Sequence, residues 1–278
     1  MSSERHEFTG PEAVASLMAG YSAQYLRTYA SDSFLFEWLR KTKELEVQCS
    51  DATEEKIVFS TPPELLNAIH RCGKINVPEK TRLPSDYGFS GFMTAALSEV
   101  LGEVPFTTPH DFEGPILRRL SRVVVNSYPR ILGKKIFRIS DNHWSCYMRD
   151  HSSPFDERQD KPDRRDYFLR SEILAIVSIF YHQIYNLVYR DETDKYRRTL
   201  RYKEGLLTVT VVTFCCKKVR VVQGTCNPSE KHTTLAITLR AVYNLSHDNY
   251  DKTAAFDAMK WILTPPEPAK QLLVRGGR

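Results

Sequence analysis

Three runs rich in Thr, Val, Ile and Leu occupy the last third of the chain, at 206–214, 217–222 and 233–244. Those residue types suit a pleated, packed surface, so the runs predict three strands of an antiparallel sheet. A short amphipathic stretch at 252–263 follows them and predicts a helix. Within the third run Leu235, Ile237 and Leu239 alternate with Thr234, Thr238 and Arg240, and within the second Val219 and Val221 alternate with Lys218 and Arg220. Period-two alternation predicts one apolar face, and one wet face of threonines with Lys218, Arg220 and Arg240.

The front half is written in the helical period. Val14, Leu17, Met18, Tyr21, Tyr25 and Tyr29 recur at three- and four-residue steps behind Thr9-Gly10-Pro11-Glu12, which has the form of a capping box. Further helices are expected after Asp32, packing Phe34, Leu35, Trp38 and Leu39; over 62–72, with Gly73 at its end; over 90–102; and over 115–127. Short strands are expected at 45–49 and 56–60 around a polar turn, and at 134–139 and 143–148, with 74–88 as a connector.

Residues 149–165 mix five acidic and five basic side chains with two prolines around the single aromatic Phe155, the composition of an exposed loop or link. A long helix from 166 to about 190 should follow. Its stretch 173–189 holds 17 residues without a formal charge, interrupted by His182, Gln183 and Asn186. That is short of the ~20 apolar residues a membrane span needs, so a buried core helix is expected and no membrane partner.

Bulk composition narrows the picture only a little. With 278 residues the chain has room for one large domain or two small ones, and 41% hydrophobic content suits a globular core. The 39 basic and 34 acidic residues leave a net charge of +5, which permits an anionic partner without demanding one. The polar stretch 1–10 has no apolar signal core, and the six scattered cysteines show no regular spacing, so reduced thiols in a cytoplasmic or nuclear protein are expected.

Candidate chemistry is sparse. From 114 to 140 there are seven basic residues and no acidic one, and Arg118, Arg119, Arg122, Lys134 and Lys135 could neutralise phosphates beside Tyr128 and Phe137. A solvated helix face with Ile116, Leu120 and Val123 turned inward accounts for the same stretch more simply. His143, Cys146 and His151 carry the atoms zinc prefers, but His143 and Cys146 point to opposite faces of a strand, so no metal site is assigned. No nucleophile elbow and no glycine-rich phosphate loop occur, and Glu54-Glu55-Lys56 lies in a polar turn away from the C-terminal strands. The remaining candidates are His182, Arg220 and Arg240, which would meet an anionic or polar ligand if the long helix arched over the sheet.

The fold class read from these patterns is α+β: a helix-rich lobe to residue 148 with short strands, a charged connector at 149–165, then a long helix packed on a three- to four-stranded antiparallel sheet with a C-terminal helix. The strands at 134–148 would join that sheet if both lobes are one domain. Three functional readings follow, in order. The first is an intracellular small-molecule-binding protein, catalytic or not, with its pocket between long helix and sheet. The second is a nucleic-acid or polyanion binder using 114–140, and the third a non-catalytic interaction module. No cofactor, reaction or oligomeric state is indicated.

Overall fold

The computed structural model describes residues 10–27, 33–41, 45–76, 86–104, 131–150, 165–190, 192, 195–215, 218–245 and 250–268. Among them are six helices: α1 (Pro11–Arg27), α2 (Phe36–Arg40), α3 (Pro63–Arg71), α4 (Asp86–Glu103), α5 (Arg170–Ile184) and α6 (Lys252–Leu263). The strands are β1 (Ser33–Leu35), β2 (Glu46–Asp51), β3 (Ile131–Arg138), β4 (His143–Asp150), β5 (Tyr167–Leu169), β6 (Tyr185–Arg190), β7 (Lys195–Leu200), β8 (Leu207–Phe214), β9 (Val219–Cys226) and β10 (Thr234–Tyr243). The helix expected at 115–127, with Arg118, Arg119 and Arg122, and most of the charged stretch 149–165 lie outside the described residues.

The class is α+β, but the main sheet is larger than expected and mixed. Its order is β2-β10-β9-β8-β4-β3, and two small ribbons, β1-β5 and β6-β7, stand apart from it. The three C-terminal runs form the antiparallel centre, β8-β9-β10. A β3-β4 hairpin then joins through a parallel β4-β8 pairing that sets His143 beside Thr208, and β2 joins through a parallel pairing that sets Glu46 beside Thr234. Local periodicity carries no information on partners that far apart in the chain, which is why the strand count read from sequence fell short.

The long helix is also shorter than its apolar run. It spans Arg170–Ile184 and gives way to strands at both ends. Tyr185-Asn-Leu-Val-Tyr is rich in aromatic and branched residues and pairs antiparallel with β7 instead of continuing the helix. The backbone N–H groups of Arg201 and Tyr202 donate to the Ile184 carbonyl, so the helix end is satisfied by the returning chain. No helix among the described residues is long and apolar enough to cross a membrane. The stretch 56–60 is not a strand; Ile57 and Phe59 instead pack beside α6. Pro62 starts α3 without a side-chain cap, and the Thr61 hydroxyl before it bonds that of Thr264 at 2.8 Å.

Both faces of the sheet are covered. On one side Leu207, Val209, Val211, Trp144, Cys146 and Ile237 pack with α1 and α5. On the other, Tyr147, Val212, Phe214, Val221 and Ala241 pack with α3, α4 and α6. Every residue of β8 and β9 is buried, so the wet face expected from the alternation is absent. Helix α5 is buried from Ser171 to Ile184, held between sheet and α1, which explains why its sequence is apolar all round.

Helix α5 approaches the sheet closely at Gly224. A Cβ there would lie 2.7 Å from Ile176 Cγ2 and 3.4 Å from Phe180. Gly224 is therefore required for space rather than for backbone freedom, and it lets α5 seat directly on β9. Gly224→Ala is expected to lower stability by about 1–3 kcal/mol through overpacking, with Gly224→Val worse, as read by urea unfolding. An unchanged midpoint for both variants would contradict this seating.

Candidate functional site

Strand register lays a row of polar side chains across the α6 face. Thr210 pairs with Gln223, Gln223 pairs with Thr238, and His143 pairs with Thr208. In a buried sheet these groups must satisfy one another. Arg240 Nη1 donates to Gln223 Oε1 at 2.8 Å, and Gln223 Nε2 donates to Thr210 Oγ1 at 3.1 Å and to the Pro266 carbonyl at 2.9 Å. Thr210 Oγ1 lies 3.0 Å from His143 Nε2.

The direction of this row follows from chemistry. A guanidinium can only donate, which fixes the Gln223 amide with its oxygen toward Arg240 and its nitrogen toward two acceptors. Thr210 Oγ1 then accepts from Gln223 Nε2 and meets His143 Nε2 through its hydroxyl proton or its second lone pair. Burial presses the His143 imidazole pKa down to about 4, so the ring is neutral. Two further hydroxyl contacts complete the layer: Ser145 Oγ donates to the Ile262 carbonyl of α6, and Ser50 and Thr238 share a bond of 2.8 Å.

Arg240 is the unusual member. The β9-β10 register shifts between Leu239 and Ala241, a bulge, and this turns Arg240 toward α6, where its guanidinium lies 5.6 Å from the Trp261 ring centroid. The residue is only 4% exposed. Its hydrogen bonds leave from Nη1, to Gln223 and weakly, at 3.5 Å, to the Glu267 carbonyl, while Nε is buried with no acceptor. No carboxylate among the described residues lies within ion-pair reach of it. Burial pushes the guanidinium pKa down, and the field of Glu55 acts in the opposite direction.

Arg220 has the contrasting environment. It lies on the α5 face, opposite to Arg240, because Thr238 aligns with Gln223 and so places residues of odd number in β9 on the α6 side. Its Nε donates to Glu172 Oε1 at 2.9 Å, and its Nη2 donates to Glu172 Oε2 at 3.3 Å and to the Tyr167 carbonyl at 2.9 Å. The guanidinium also stacks 4.5 Å from the Tyr167 ring centroid. Burial opposes the charge here too, but Glu172 and Tyr167 outweigh it and raise the pKa. Next to this pair Ser171 donates to the buried Asp150 at 2.5 Å.

His182 sits far along α5 from Arg220, buried and neutral, its pKa pressed to about 4 by burial and then by Arg201. The three residues grouped from sequence therefore occupy three places rather than one. Lys135 is exposed, with its ammonium 5.6 Å above the Phe137 ring, and the side chain of Lys134 lies outside the described residues. Cys49 and Cys146 are buried thiols with pKa pushed up to about 12, the environment of packing groups rather than nucleophiles. Among the described residues no group of three or more His, Cys, Asp or Glu is placed to hold a metal ion. Gln223 and Trp261, beside Arg240, were not singled out from sequence, and Glu55 was read only as part of a polar turn. The only signal for Gln223 is an amide inside an otherwise Val-rich strand.

No protein-family model, curated protein or solved structure matches this chain.

Two outcomes test these environments. Glu172→Gln leaves Arg220 a buried unpaired charge and should cost about 3–5 kcal/mol in urea unfolding, whereas Glu172→Leu with Arg220→Met should recover most of that loss. A mild effect of the single change would show that the pair does not hold α5. Second, His143 and His182 take up protons near pH 6.5 when unfolded but only near pH 4 when folded. Stability should be full above pH 6.5 and fall as pH drops toward 4, and His143→Gln should remove about half of that slope. Equal slopes in the two proteins would refute the neutral assignment of His143.

Proposed function

We propose that this protein binds a small organic or inorganic anion, a carboxylate or a phosphate, with Arg240 as its anchor. One observation carries the reading: a buried guanidinium that keeps an unused donor edge and has no carboxylate partner among the described residues. An unpaired buried charge costs several kcal/mol, so an arrangement that retains one calls for a compensating counter-charge. Gln223 occupies Nη1, which leaves the edge of Nε and Nη2 for a side-on, bidentate acceptor. The chain itself supplies the precedent, since Arg220 uses that same edge for the carboxylate of Glu172.

This is the small-molecule reading of the sequence, moved from the α5 face to the α6 face. On the α5 side the contact of Ile176 and Phe180 with Gly224 fills the middle of the helix–sheet interface. On the α6 side Arg240 is bordered by the turn at 52–55 and by 264–268, segments without regular structure that can admit a ligand. We read the role as binding rather than covalent catalysis, because the row holds a neutral histidine and a donor–acceptor chain but no activated nucleophile. The shared sheet also supports treating 1–148 and 166–278 as one folding unit.

Thermal unfolding of the wild type in acetate, citrate or inorganic phosphate should show a concentration-dependent rise in Tm. Arg240→Met should abolish that rise. It should also leave the ligand-free protein as stable as the wild type or more so, because a buried charge is gone. A Tm rise that survives in Arg240→Met would place the anion elsewhere and sink the proposal.

A further inference from the structure

We infer that the anion is a small zwitterion of the α-amino carboxylate class, its carboxylate on Arg240 and its ammonium toward Glu55 and the carbonyls of Pro266 and Glu267. The inference rests on the anion reading of Arg240 and narrows it by the chemistry of what surrounds that side chain.

The guanidinium is bordered by acceptors. The Ala52 N–H donates to the Leu239 carbonyl at 2.9 Å, and the Glu55 N–H donates to the Ala52 carbonyl at 3.1 Å, so a hydrogen-bonded turn holds Glu55 next to the residue that precedes Arg240. Glu55 is half-buried, and among the described residues its field acts on Arg240 in favour of the charged form. From the other side, 264–268 presents the Pro266 carbonyl to Gln223 and the Glu267 carbonyl to Arg240. Each backbone oxygen has a second lone pair. The surroundings thus offer one donor edge for a carboxylate and several acceptors for a neighbouring ammonium.

Charge arithmetic selects among anions. Arg240 and Glu55 carry opposite charges, so a dianionic phosphate would bring excess negative charge beside the Glu55 carboxylate and the carbonyl oxygens of 264–268. A simple monocarboxylate would satisfy Arg240 and leave the Glu55 carboxylate uncompensated. A zwitterion answers both charges at once and adds none. The Arg240 guanidinium, stacked on Trp261 and clamped by Gln223, is held in one orientation before the ligand arrives.

The test compares isosteres on the full chain by isothermal titration calorimetry: L-alanine, isobutyrate, which has a methyl in place of the ammonium, and inorganic phosphate. Alanine should bind at least ~10-fold more tightly than isobutyrate, the effect of one charge-assisted hydrogen bond. Phosphate should bind more weakly than alanine. Glu55→Gln should bring the alanine-to-isobutyrate ratio close to one, a readout that general damage to the fold would not produce. Isobutyrate or phosphate binding as tightly as alanine would overturn the zwitterion inference while the anion site stands. The inference would equally fail if Glu55→Gln left the ratio unchanged. Absence of binding by all three probes in the wild type, with Tm also unmoved by anions, would remove the anion site itself and this inference with it.

Discussion

The carboxylate of Glu172 holds three parts of the molecule together. It accepts the N–H of Leu169 at 2.8 Å, closing the first turn of α5, and it grips the guanidinium of Arg220 with both oxygens. Arg220 in turn reaches the Tyr167 carbonyl in β5. Helix start, small ribbon and central strand are therefore positioned by one ion pair without access to water. Desolvating two charges is unfavourable in isolation, so such a pair contributes orientation more than net stability. Its geometric effect is to place the apolar length of α5 over Gly224, where any side chain would collide with Ile176. The core between sheet and α5 is thus constrained at the polar end by charge and in the middle by shape.

The opposite face is solved by different means. Polar side chains in four neighbouring strands face α6, and no water reaches them. They form a hydrogen-bonded row from a guanidinium to an imidazole nitrogen, Arg240–Gln223–Thr210–His143. The two buried arginines differ in one respect that decides their roles. Arg220 has a carboxylate partner within the protein, and Arg240 has none among the described residues.

Much of the fold was legible from local pattern. The C-terminal helix has the ends read from sequence, the three Thr- and Val-rich runs are the antiparallel centre, and α1 and α3 follow the apolar stripes and turn residues of the front half, while α4 begins at Asp86, four residues before the start expected at Ser90. The failures share a cause. Whether a strand is wet or dry depends on what covers it, and the alternation Thr238, Arg240 against Leu239 is the same in either case. The candidate site was legible only in part: Arg240 is visible as a cation in a strand, but its value depends on a bulge at Leu239/Ala241 and on the register that parts it from Arg220. Neither leaves a mark in composition. Likewise Glu55, dismissed as a turn carboxylate, gains meaning only because its turn is bonded to Leu239.

The pairing of β2 with β10 also bears on how the chain is made. Ser50 and Thr238, bonded across that pairing, are separated by 188 positions. At ordinary rates of translation the second strand leaves the ribosome roughly 10–40 s after the first. During that interval the segment 46–51 lacks the β10 backbone it pairs with in the fold. Its sequence, Glu-Val-Gln-Cys-Ser-Asp, alternates its few apolar groups with polar ones and carries a carboxylate at each end. Charges flanking a short apolar pattern are the kind of composition that disfavours self-association of an exposed segment.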